Sequence, residues 1–97
     1  MPSYLMLANY TDQGIRNIKQ SSQRLEAVKQ AAQQAGGRMV FFYLTMGQYD
    51  FAALVELPND EVAARLLLTV GSQGNVRTTT LRAFQETEYQ RIVGGVP

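Results

Sequence analysis

The chain has 97 residues, the length of one domain, and its 45% apolar content is that of an ordinary globular protein rather than a disordered one. Its formal net charge is +1, too little to build a surface that attracts phosphate backbones or acidic lipid. It has no cysteine and no histidine, which excludes disulfides, thiolate chemistry and the imidazole general base. Without those ligands no tightly held transition metal and no haem on histidine is expected, and no cofactor is called for.

The N-terminus, Met1-Pro2-Ser3-Tyr4-Leu5, lacks the basic region and apolar run of a signal peptide. The longest near-apolar runs, Met39 to Leu44 and Phe51 to Val55, are too short to span a bilayer, so a cytoplasmic location is expected. The first strand is read at Tyr4 to Ala8, ended by the turn-forming Asn9-Tyr10-Thr11-Asp12. A helix follows from a Thr11 cap, with Ile15, Ile18, Leu25, Val28 and Ala32 on one face. Ser21-Ser22 can split it into a short and a long piece, because serine hydroxyls compete for backbone hydrogen bonds. Gly36-Gly37 closes it. Arg38 to Met46 reads as a second strand, Gly47-Gln48-Tyr49-Asp50 as a hairpin turn and Phe51 to Leu57 as a third strand ended by Pro58. Asn59 caps a second helix whose apolar face is Val62, Ala63, Leu66, Leu67 and Val70. Val76 to Phe84 is a fourth strand, and a short last helix is read from Gln85 to Val93.

This β-α-β-β-α-β order predicts a single α+β domain over residues 1–97 with the ferredoxin-like arrangement: a four-stranded antiparallel sheet with both helices on one face. Such a sheet should alternate apolar and polar residues, but the first three strands do not. Simple alternation puts Met39, Phe41 and Tyr43 on one face and Val40, Phe42 and Leu44 on the other; Leu5 and Leu7 oppose Tyr4 and Met6 in the same way. The helices can cover only one of two apolar faces, so the expected partner is a second copy, paired face to face into a barrel that can enclose a small-molecule pocket. The alternative is that the last helix folds back over the open face.

At the hairpin, Gly47-Gln48-Tyr49-Asp50 carries a Gly-x-Tyr-Asp signature, and the sequence there resembles the GYD domain family. Tyr10 to Ile15, Gly74 to Phe84 and Glu86 to Tyr89 are similar to it as well, so the resemblance covers nearly the whole chain. It implies membership of the dimeric α/β barrel superfamily, and thus a fold and an assembly rather than a reaction. That superfamily includes cofactor-independent monooxygenases, haem-degrading enzymes, isomerases and ligand-sensing domains, and fold alone does not choose among them. The haem-degrading activity needs a histidine ligand that this chain lacks.

Five residues are candidates for a ligand site. Tyr49 and Asp50 offer a phenol and a carboxylate at a pocket rim, against the plainer role of closing the turn. Asn9 ends the first strand with the parity of Leu5 and Leu7, or else only caps a turn. Arg77 can hold a carboxylate or phosphate if its face is inward, and Tyr43 sits mid-strand among apolar neighbours. RNA-recognition domains share the element order, but Met6 stands where a stacking aromatic is needed and the third strand lacks their basic, aromatic motif, so no nucleic-acid partner is expected. The function expected is therefore that of a homodimeric small-molecule-binding domain, with a cofactor-independent monooxygenase or isomerase as the alternative.

Overall fold

In the computed structural model, which describes residues 1–97, the strands are β1 (Ser3–Tyr10), β2 (Arg38–Leu44), β3 (Phe51–Glu56) and β4 (Val76–Ala83). The helices are α1 (Asp12–Arg16), α2 (Ser21–Gln34), α3 (Asp60–Ser72) and α4 (Glu86–Gly94), with a 3₁₀ turn at Ile18–Gln20 between α1 and α2. All pairings are antiparallel and the strand order is β2-β3-β1-β4, the ferredoxin-like sheet the element order implied.

Local chemistry explains the boundaries. The Thr11 hydroxyl accepts from the Gly14 N–H at 3.1 Å and donates to the Gly74 carbonyl at 2.6 Å, which ties α1 to the turn before β4. A Cβ at Gly14 would run into the carbonyl oxygen of Asn75, so only glycine permits this approach. The first helix does break before Ser21, and the break changes the packing: Ile15 and Ile18 are 54% and 39% exposed, whereas Val28 packs against the core and Ala32 lies within it. Asn59 caps α3 by accepting from the Val62 N–H at 2.9 Å. Gly47 takes φ +106° in the hairpin turn.

The helix-side face of the sheet carries Tyr4, Met6 and Ala8 from β1 and Phe51, Ala53 and Val55 from β3. Above them α2 lies over the β2 side and α3 over the β4 side, adding Ala32, Ala63, Leu66 and Val70 to one core. Strand β2 corrects the simple alternation. Its register shifts between Met39 and Phe41, a bulge that leaves Val40 unpaired. Met39, Phe42 and Leu44 therefore pair with Val55, Ala53 and Phe51 and share the helix side, while Phe41 and Tyr43 pair with Leu54 and Ala52 on the open side.

The C-terminal helix does not fold back. Its root is fixed by a reciprocal cap between Gln85 and Glu88 and by Arg82, which lies 4.4 Å over the Phe84 ring and 3.9 Å from Glu88. Beyond that root α4 makes no extensive contact with the sheet or the long helices, and Tyr89, Ile92 and Val93 remain exposed. The chain measures 51 × 31 × 19 Å, and its radius of gyration of 14.5 Å exceeds that of a compact domain of this size, about 13 Å.

Candidate functional site

The open face is built in rows that cross the whole sheet. Phe41, Leu54, Leu5 and Leu81 form one row, and Tyr43, Ala52, Leu7 and Thr79 the next. Phe41 and Tyr43 stack with centroids 5.1 Å apart, Tyr43 is 65% exposed and Leu81 48%. One end of this apolar face is closed by the Arg38–Glu56 ion pair at 2.7 Å, and the Gln85 side chain donates to the same Glu56 at 3.4 Å. At the other end Asn9 pairs with Arg77 in the β1–β4 ladder, so both belong to the open face.

The hairpin residues sit differently. Pairing of β1 with β3 runs out at Ala8 and Phe51. There the Asp50 N–H donates to the Ala8 carbonyl at 2.8 Å, and the Asp50 carboxylate accepts from the Tyr10 N–H at 2.9 Å. The side chain thus supplies the acceptor that the ended strand no longer provides. The turn is closed by the Thr45 N–H donating to the Asp50 carbonyl at 2.9 Å and the Thr45 hydroxyl donating to the Tyr49 carbonyl at 2.6 Å. Of the five residues singled out in the sequence, Asn9, Tyr43 and Arg77 share the open face, while Tyr49 and Asp50 are half-buried in the turn.

A half-open pocket of the single chain lies on the opposite side of the sheet. A cavity of about 220 Å³ opens beneath the first half of α2, between the end of α3 and the end of the sheet where β1 meets β3 and β4. None of the five residues lines it. Its walls are apolar, with Met6, Leu25, Phe42, Phe51 and Val76 among them, and its polar groups include Tyr10 and Arg24. Tyr10 packs on Phe51 with centroids 5.5 Å apart. Burial pushes its phenol pKa up; the nearby Arg24 charge pulls it down and the Asp50 charge pushes it up. Arg24 donates through Nη1 to the Asn17 carbonyl at 3.0 Å, while its Nη2 is buried with no hydrogen-bond partner, and no carboxylate lies within ion-pair distance of the guanidinium. Arg24 escaped the sequence reading, although the signal was present: it stands four residues before Val28, a cation on the apolar stripe of the helix. No group of His, Cys, Asp and Glu side chains comes together that could hold a metal ion, and no helix is long and apolar enough to cross a membrane.

Comparison with known proteins supports the fold. A relative from Thermus thermophilus, named glutamine synthetase and cystathionine beta-lyase binding protein, is 34% identical over 85 residues, covering 87% of this chain and 90% of the relative. The crystal structure of TTHA0845, also from Thermus thermophilus, is similar in fold, with a TM-score of 0.55 and 25% identity over 88% of this chain and 95% of that one. The family model described as GYD domain matches residues 4–93. The chain belongs to the GYD domain family.

Proposed function

We propose that this chain is a homodimeric binding domain in which a second copy covers the open face of the sheet. The observation that carries the reading is that face itself: Phe41, Tyr43, Leu54, Leu5, Leu7 and Leu81 form a contiguous apolar surface that no element of the same chain covers. A twofold partner is favoured over an unrelated one because the chain presents two unmatched apolar features, the sheet face and the projecting α4. An isologous pair brings each of them to a copy that has the same need. In that pair Asn9, Tyr43 and Arg77 lie around any space left between the sheets, where a small ligand would meet an amide, a phenol and a cation. Binding is preferred to cofactor-free catalysis because the carboxylate offered for proton transfer, Asp50, accepts from the Tyr10 N–H at 2.9 Å and so serves the turn.

Light scattering behind size exclusion tests the assembly. At micromolar concentration the wild-type chain should elute at no less than twice its 10.8 kDa mass. Leu81→Glu, which places a charge on the apolar face at its β4 edge, should elute as a folded monomer. A wild-type protein that is a clean, well-behaved monomer would overturn the reading.

A second reading comes from the Thermus relative, whose name gives it two enzymes as binding partners. Identity of 34% across nearly the full length of both proteins favours a protein partner for this chain too. Purified glutamine synthetase and cystathionine beta-lyase, each run over the immobilised chain, test that reading directly. Saturable binding of either, kept in Leu81→Glu, would place the partner off the sheet face.

A further inference from the structure

We propose that the cavity beneath α2 is a binding site for a small monocarboxylate with a compact apolar body, anchored by Arg24. The site is distinct from the open sheet face, and the proposal does not depend on dimerisation.

The argument starts from what the cavity lacks. About 220 Å³ of space remains within the helix-side layer, where side chains ordinarily close-pack. Most of its wall is aliphatic or aromatic, which suits an apolar ligand body. The volume is below the range of pockets that take drug-sized molecules, so the body must be small, one ring or a short chain. Among these walls stands one guanidinium with its Nη2 buried and unpartnered. A buried guanidinium N–H with no acceptor is costly, and a carboxylate satisfies such a donor with a charge-assisted hydrogen bond. Here no carboxylate is within reach: the four ion pairs of the chain use Lys29, Arg38, Arg65 and Arg82. The Asp50 carboxylate, which acts on the same Tyr10, is committed to the Tyr10 N–H. Arg24 therefore offers a directed donor, held in place by the Asn17 carbonyl, to an anion that comes from outside.

The remaining polar groups are consistent with an acid. The Tyr10 phenol lines the same cavity and forms no hydrogen bond, so its O–H is free to be a second donor to a carboxylate. A phenol keeps that proton at neutral pH. A phosphate is disfavoured, since one cation and one phenol do not compensate a dianion among apolar walls. Access runs past Ser22 and Leu44, lining residues that are exposed to solvent, Leu44 to 73%.

The test uses the full-length chain and two probe acids, benzoate and hexanoate, each beside its uncharged amide, benzamide and hexanamide. Titration is followed by amide chemical shifts. At least one acid should saturate, with the largest shifts at Tyr10, Arg24, Val28 and Phe51, and its amide should bind at least tenfold more weakly. Arg24→Gln should weaken the acid by about tenfold to a hundredfold, the value of a charge-assisted hydrogen bond, and weaken the amide by less. Val28→Phe, which fills the cavity while keeping the cation, should abolish both. Unfolding curves and light scattering on each variant separate loss of the site from loss of the fold or of the dimer. The proposal is overturned if neither acid binds below about 10 mM, if acid and amide bind alike, or if Arg24→Gln retains wild-type affinity for the acid while folded.

Discussion

The two faces of the sheet are both apolar, yet they behave as different materials. On the helix side Met6, Ala8, Ala53 and Val55 are buried, and small residues alternate with large ones so that α2 and α3 can settle between them. On the open side Leu5, Leu7, Leu54 and Phe41 are only half-buried, and Tyr43 and Leu81 stand largely in solvent. The same strands supply both sets, one residue apart. What separates them is the presence of a partner layer: burial is set by what packs above a face, and composition alone does not reveal it. Apolar surface left uncovered within the chain is the basis of the proposed association, and space left unfilled beside the core is the basis of the proposed ligand site. This chain has one of each, on opposite faces of one sheet.

Substitutions can sharpen or break that contrast. The largest effect is expected on the helix side, where Met6→Ala should cost roughly 2–5 kcal/mol in denaturant unfolding, the range for emptying a packed core position. A cost below about 1 kcal/mol would mean that the layer over the sheet is loosely packed. Next comes the hairpin. Asp50→Ala should cost about 1–3 kcal/mol, because the half-buried Tyr10 N–H loses its acceptor, while Asp50→Asn keeps an oxygen there and should cost less. If both variants unfold like wild type but lose affinity for a ligand, Asp50 serves the ligand rather than the turn. On the open side Tyr43→Ser should change monomer stability by less than about 0.5 kcal/mol and act on self-association instead, read as a raised dimer dissociation constant in sedimentation equilibrium. An equal loss in the dissociated chain would erase the distinction between the faces.

A pH-dependent effect, confined to alkaline solution, is expected from Tyr4 on the helix side. Its hydroxyl donates to Asp60 at 2.6 Å. Burial, the Asp60 hydrogen bond and the Asp60 charge raise its pKa from 10.0 to about 12. The folded state holds this proton more tightly than the unfolded state, so the stabilisation is complete below pH 10 and lost as the pH rises from about 10 to about 12. Tyr4→Phe should flatten this alkaline limb of the stability profile. A limb unchanged in the variant would assign it to another group.

Much of the fold was legible in the sequence because its determinants are local. Gly36-Gly37, Pro58, Asn59 and the Gly47 hairpin punctuate the chain where the elements end, and Thr11 and Asn59 make the caps their residue types suggest. The open apolar face was also legible, because period-two patterning needs no tertiary information. Three features were not. The bulge at Val40 moved Phe41 and Phe42 to opposite faces from those alternation assigns, since one unpaired residue inverts the parity of all that follows. The exposure of Ile15 and Ile18 followed from the helix break, which turns a continuous stripe into two unrelated ones. The cavity with Arg24 arose because residues from α2, the end of α3 and the ends of the strands leave space between them. The sequence by itself determined the order of the elements, their caps and the two-sided sheet. Only the tertiary structure decided which aromatic faces which side, that α4 projects, and where the core stays open. These depend on register and on distances between segments far apart in the chain, which no local pattern encodes.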